Sequence, residues 1–357
     1  MCCELETILK EHASAHPVME ITDAVKLVYQ HTLGGGHMIP DPSRSLARLE
    51  AELAGTPADD GPLTEDLGGG LVRLRLAGMV GVGLSAEAVN RLFVLSANMT
   101  HGSIEALKTN LEILRRVTAA GVFAFDGAAL DAYLAAYAQQ GYPAVSHSET
   151  YRAAYGPAYR VVRRDLLRAL PVILAIDGRL AECGRVLAAL DGRCASGKST
   201  LGALLAEVYG AALFHMDDFF LRPEQRTPER LAEPGGNVDR ERFAAEVLAP
   251  LKAGIPFTYR PYDCTAKALA APVAAKPAAV TVVEGSYALH PELRDAYDVR
   301  IFLTVGPETQ MRRIRARSGE ALAARFVAEW IPMEERYFSA LRVPECCHAV
   351  ISTEDGR

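Results

Sequence analysis

The chain has 357 residues, half of them apolar and 23% charged, with a formal net charge of −6 and a pI near 5.9. That length carries two domains with their own cores, and the mild acidity argues against nucleic acid or an anionic membrane as the partner. No charge-free apolar run is long enough to span a bilayer, and the opening "MCCELETILKEH" lacks the basic and apolar regions of a secretory leader, so a cytoplasmic protein is expected.

In chain order, the N-terminal half reads as mostly helical. Residues 55–70, "GTPADDGPLTEDLGGG", form a loop rich in Gly, Pro and Asp. "GLVRLRLAG" alternates, which predicts a short strand over Leu71–Leu76. In "SIEALKTNLEILRRV", Ile104, Leu107, Leu111 and Leu114 share a helical face, with Ser103 as the N-cap. "GAALDAYLAAYAQQG" predicts a second helix that stops at Gly141, and a further helix is expected from Tyr159 to Ala181. The domain boundary is placed between residues 183 and 184.

Beyond it the pattern changes. Apolar runs at 186–190, 211–215, 279–284 and 299–305 alternate with the helical segments "TLGALLAEVYG", "DRERFAAEVLAPLKAG" and "PETQMRRIRAR". Strands spaced by helices predict an α/β fold, a parallel sheet with helices on both faces. Such sheets bind ligands at the carboxyl ends of their strands. "AIDGRL" at 175–180 echoes "ALDGRC" at 189–194, but only the second runs on into a lysine and hydroxyls.

Gly192, Gly197, Lys198 and Ser199 fit the phosphate-loop pattern G-x-x-x-x-G-K-[ST]. Its glycines let the backbone curl so that N–H groups, here across Ala195, Ser196, Gly197 and on to Thr200, point at phosphate oxygens. The following helix adds its positive end. Lys198 reaches the terminal phosphates and the Ser199 hydroxyl ligates Mg²⁺, so ATP and Mg²⁺ are the expected cofactors. No guanine-reading Asn-Lys-x-Asp motif and no "LSGGQ" follow.

Other candidates sit near strand ends. "AALFH" runs into Asp217 and Asp218, where a carboxylate takes a proton from an attacking hydroxyl or organises a metal. Asp239 precedes a helix and needs no role beyond an N-cap. "YRPYDC" gathers Arg260, Tyr262 and Asp263 in a loop. Glu284 closes the strand "VTVVE", placed to steer Mg²⁺ through water. Arg312, Arg313, Arg315, Arg317 and Arg325 mark a basic helix that either closes over phosphates or is a solvated face.

With "GRCASGKST", "MDDFFLRPE", "NVDRERF", "VVEGSY" and "EWIPMEERYF" in that order, residues 185–352 resemble the uridine kinase and nicotinamide riboside kinase group of P-loop kinases. The resemblance implies a nucleoside monophosphate kinase-like fold and transfer of the ATP γ-phosphoryl to a sugar hydroxyl. It implies Asp217 as the general base, Asp239 on the ribose hydroxyls, Glu284 near the metal and reacting hydroxyl, and Arg313 and Arg317 as lid arginines. Tyr262 and Asp263 match a "YD" of uridine kinases, and Asp218 is expected as a further substrate-binding residue. The histidine that follows in that group is replaced here by "CTAKAL", which counts against uridine itself. The competing reading is an ATP-driven switch whose N-terminal domain senses a metabolite.

Six of the nine histidines, His12, His16, His31, His37, His101 and His147, lie in the N-terminal half. They are densest in "YQHTLGGGHMIPD", but no HExxH or CxxC zinc spacing appears. Packing, a small-molecule site and a metal site remain open there, and the domain either extends the acceptor site, senses a metabolite or mediates a homo-oligomer. The seven cysteines, odd in number and without CxxC pairing, read as reduced thiols.

Overall fold

The computed structural model describes residues 4–39 and 41–354. The chain divides into two compact units between Arg168 and Ala169. The division falls ahead of the helix Leu170–Cys183 rather than behind it. That helix packs on strands of the second unit, and its Asp177 accepts a hydrogen bond from the Tyr209 hydroxyl (2.7 Å).

The first unit is mainly helical around a three-stranded antiparallel sheet, in the order β1 (Thr64–Gly68), β2 (Leu71–Arg75), β3 (Tyr159–Arg163). Helix Ile104–Ala119 forms where its periodicity placed it, and the Ser103 hydroxyl accepts from Ala106 N–H at 3.1 Å. Two expectations need correction. The loop 55–70 ends in strand β1, and the helix expected from Tyr159 begins instead as β3. In both cases the alternating β2 offers a ladder on each side, and the adjacent β-branched pair Val161–Val162 is better suited to a pleated surface than to a helix. The glycine-rich histidine stretch is largely packing. His31 Nδ1 bonds the Leu67 carbonyl (2.7 Å), and the His37 ring meets Tyr29 edge-on.

The second unit is built on five parallel strands in the order β12-β11-β4-β10-β5. These are β4 (Val186–Gly192), β5 (Ala212–His215), β10 (Val280–Glu284), β11 (Val299–Thr304) and β12 (Ala349–Ser352). Between β5 and β10 run two small antiparallel pairs. β6 (Phe257–Tyr259) pairs with β9 (Val273–Ala275), and β7 (Tyr262–Asp263) with β8 (Ala268–Leu269). Helices Leu170–Cys183 and Lys198–Tyr209 flank the sheet. β10 is buried along its whole length, as a central parallel strand covered on both faces must be. β12 was not foreseen. Four residues with only intermediate and exposed positions carry little periodic signal.

Two glycines are sterically required at strand ends. At Gly192 (φ 139°) a Cβ would sit 2.0 Å from the Leu303 carbonyl oxygen, and at Gly285 (φ 138°) 2.7 Å from Met216 Cβ. These close approaches draw the ends of β4, β11 and β10 and the residues after β5 into one edge. Beneath it, Asp191 is fully buried. It accepts from the N–H groups of Gly192 (2.7 Å), Tyr287 (3.2 Å) and Leu289 (2.9 Å) and from the Tyr337 hydroxyl (2.7 Å). Burial pushes its carboxyl up to about 6, against the pull of those donors. Among the described residues no helix is long and apolar enough to cross a membrane. Cys183, Cys194, Cys264, Cys346 and Cys347 are free thiols, while Cys2 and Cys3 lie outside the described residues.

Candidate active site

The phosphate loop joins β4 to helix Lys198–Tyr209. Ala195 takes the left-handed conformation (φ 57°), as does Gly197 (φ 89°), which caps the helix with no side-chain hydrogen bond. The first N–H groups of this helix therefore have no side-chain acceptor, the condition under which a helix start receives an anion. The Lys198 ammonium is buried and donates to the carbonyls of Gly192 (2.7 Å) and Arg193 (2.9 Å), folded onto its own loop. The Ser196 hydroxyl is buried without a hydrogen-bond partner. A loop with an uncapped helix start, a buried ammonium and a spare hydroxyl fits a polyphosphate.

Strand register supplies the next group. Glu284 at the end of β10 lies opposite Leu190 of β4 on one side and His215 of β5 on the other. Its side chain is buried and accepts from the Ser199 hydroxyl, 3.1 Å from each oxygen, and from His215 Nδ1 at 2.6 Å. A carboxylate cannot donate, so Nδ1 carries that proton. The hydrogen bond to Glu284, with its negative charge, raises the His215 pKa against partial burial. Ser199 and Glu284 together make a hydroxyl–carboxylate pair of the kind that holds Mg²⁺ directly and through water.

Asp217 and Asp218 occupy the turn Met216–Phe219 just past β5. Asp217 keeps an open face to solvent, yet neighbouring protein atoms crowd its carboxyl. This crowding, with the like charge of Glu284 added, holds its pKa above the usual carboxylate range, and Lys198 and His215 oppose it. Asp218 is raised as well, chiefly by burial, and Tyr259 OH stands 3.5 Å from its Oδ2.

The remaining expected residues fall into two groups. The Tyr262–Asp263 strand β7 packs against the Asp217 turn. The Asp263 carboxylate itself accepts from Thr265 N–H (2.7 Å) and Ala266 N–H (2.9 Å), shaping the hairpin. Asp239 is buried and N-caps helix Arg240–Phe243 by accepting from Arg242 N–H (3.2 Å). Its other oxygen accepts from Gln225 Nε2 (2.8 Å). Of the two arginines expected on a lid, Arg313 instead donates to the Ala195 carbonyl (3.1 Å) and to Thr353, bracing the outside of the loop. Arg317 is exposed, beside the break at Gly319 (φ 75°) in helix Pro307–Arg325.

The sequence reading missed a second set of residues that shape the loop. Glu334, buried in helix Ile331–Ala340, accepts from Cys194 N–H (2.9 Å) and the Ser286 hydroxyl (2.6 Å). Glu335 takes a two-pronged bond from Arg193 (2.6 and 3.1 Å). Gln310 donates to the Cys194 carbonyl (3.0 Å), and Thr353 to that of Ser196 (2.8 Å). The one available signal was "PMEERYF", two acids on a helix that also carries the buried Tyr337 and Phe338.

No family model matches the chain, and no curated protein matches it. Among solved structures, it is similar to a Bacillus stearothermophilus protein provisionally named a uridine kinase. The identity is 20% over 51% of this chain and 99% of that one, with TM-score 0.37. A Silicibacter sp. TM1040 protein provisionally named a fructose transport system kinase is 28% identical over 52% of this chain and 98% of that one, TM-score 0.40. Shikimate kinase from Acinetobacter baumannii is 18% identical over 49% and 88%, TM-score 0.26. These similarities cover about half of this chain and 88–99% of each neighbour.

Proposed function

We propose that the second unit is an ATP-dependent small-molecule kinase that moves the γ-phosphoryl group to a hydroxyl of a nucleoside or nucleoside-like metabolite. The observation that carries this reading is the meeting at one sheet edge of the Lys198 loop, the Ser199–Glu284 pair and the crowded Asp217 carboxylate. Loop N–H groups and Lys198 hold the phosphates. Ser199 and Glu284 would hold Mg²⁺, which would supply positive charge to neutralise the phosphates. Asp217 takes the proton of the acceptor hydroxyl. Asp218 and the β7–β8 hairpin with Tyr262 and Asp263 contribute acceptor contacts. Asp239 engages the sugar by exchanging its Gln225 bond for hydroxyls. Arg317, next to the Gly319 break, would serve as the lid arginine that excludes water, whereas Arg313, bonded to the Ala195 carbonyl, would act by positioning the loop.

The discriminating experiment is ADP release with and without a panel of nucleosides and sugars. Stimulation by an acceptor, with a new phosphorylated mass, supports the kinase. Turnover that ignores every acceptor in the panel and in a metabolite extract rejects it in favour of an ATP-driven switch.

The loop braces give a separate expectation. Glu334→Gln weakens a charge-assisted hydrogen bond to Cys194 N–H, worth about 1.5–3 kcal/mol. ATP affinity measured by titration calorimetry should fall about tenfold or more, while the melting profile of the first unit stays unchanged. Unaltered affinity would show that the Glu334 bond does not shape the loop for nucleotide.

A further inference from the structure

The first unit contains a cluster of donors that the phosphoryl-transfer reading does not use. His12 and His16 are one helical turn apart at the end of helix Glu4–Ala15, and Glu65 comes from β1. His12 Nδ1 and His16 Nε2 each lie 3.5 Å from Glu65 Oε1, and the three donor atoms all fall within 4.8 Å of one another.

The hydrogen bonds on the far side of each ring fix what the near side presents. His12 Nε2 bonds the Asp66 carbonyl (2.7 Å), and His16 Nδ1 the His12 carbonyl (3.1 Å). A carbonyl only accepts, so each of these nitrogens carries the proton, and in a neutral ring the other nitrogen has a lone pair. Both lone pairs are therefore on the nitrogens that face Glu65. His12 is 4% exposed, and its Nδ1 has no hydrogen-bond partner. The other oxygen of Glu65, Oε2, is held by Arg73 at 2.9 Å. Two imidazoles and a carboxylate, each oriented by an outer hydrogen bond, have the organisation of a metal centre and its supporting shell.

We propose that His12, His16 and Glu65 bind a first-row divalent transition metal, with zinc the best fit. The 3.5 Å separations match donors about 2.0–2.2 Å from a tetrahedral zinc. Arg73 nearby works against cations that bind through charge alone, and one carboxylate is too few for calcium or magnesium, which prefer oxygen donors. Three protein ligands leave one position for water or a ligand oxygen. The spacing H-x-x-x-H was visible in "EHASAH", but Glu65 is distant in sequence and reaches the histidines only when β1 packs beside the first helix.

The test uses the full chain, stripped with chelator and titrated with Zn²⁺ and, separately, Co²⁺. One tight equivalent of Zn²⁺ is expected, with the intense visible bands of tetrahedral cobalt in the Co²⁺ form. His16→Ala should weaken Zn²⁺ binding about 100-fold and remove those bands, while His101→Ala, an exposed position elsewhere in the unit, should leave both intact. Because the His16 change could loosen the helix end, the unaltered chain supplies a second measure. Zn²⁺ should shift the imidazole resonances of His12 and His16 and not that of His101. Wild-type affinity in a folded His16→Ala chain, or Zn²⁺-induced shifts confined to other histidines such as His215, would overturn the assignment. A chain that takes up no Zn²⁺ would overturn it equally.

Discussion

Replacing Lys198 with methionine is expected to lower phosphoryl transfer about 10³-fold or more. The ammonium is the one cationic side chain of the phosphate loop that is buried, and it already touches two loop carbonyls. In the proposed reaction it leaves those carbonyls for the terminal phosphates, where charge shifts as the γ-group departs. A preorganised donor in a site that excludes water is worth about 10²–10³ in rate, and a full positive charge more. The same change removes both Lys198 hydrogen bonds, each worth about 1 kcal/mol of stability, although the Arg193 carbonyl keeps its bond from Ser196 N–H (3.1 Å) and the Gly192 carbonyl its bond from the Ser286 hydroxyl (3.4 Å). Single-turnover transfer must therefore be read beside a melting curve. A folded Lys198→Met chain that transfers phosphoryl groups at the native rate would remove Lys198 from the chemistry.

Asp217→Asn should keep ATP binding, since the residue lies beyond the loop, yet lower transfer to the acceptor by about 10²–10⁴. The pH profile gives an independent readout. Crowding by protein atoms and then the like charge of Glu284 raise the Asp217 pKa. A base works only when deprotonated, so kcat/KM should be lost as pH falls through that raised value. The acid limb should lie above the ordinary carboxylate range. In Asp217→Asn that limb should disappear together with most of the rate. Near-native transfer by the variant, or an unchanged acid limb, would mean that another group takes the proton.

The glycine-rich loop was legible because its pattern lies in one short contiguous stretch. Glycine, lysine and serine spacing follows from backbone geometry around phosphate, whatever surrounds it. Glu284 and Asp217 were legible for a related reason, since apolar runs that end in an acid mark the carboxyl ends of sheet strands. The braces were not legible. Glu334 and Cys194 are far apart in sequence, and no local pattern says that a helix acid will end 2.9 Å from a loop amide. Asp239 was legible as an N-cap, but its bond from Gln225 and the bonds of Asp263 within its hairpin were not, because they depend on how the chain folds back on itself.

The near-duplicate stretches show where the division lies. "AIDGRL" and "ALDGRC" share Asp-Gly-Arg at the same spacing. The first lies inside helix Leu170–Cys183, where Asp177 meets the Tyr209 hydroxyl. The second ends β4, where Gly192 fits only without a side chain against Leu303 and Asp191 ties the strand to Tyr287, Leu289 and Tyr337. The sequence by itself determined that one of them continues into Ser-Gly-Lys-Ser, the spacing on which the proposed phosphate grip rests. Only the tertiary structure brought Glu284 to Ser199, Glu334 to Cys194, and two histidines of the first unit to one glutamate. Those choices are made by strand register and helix packing between residues remote in the chain, which no local pattern encodes.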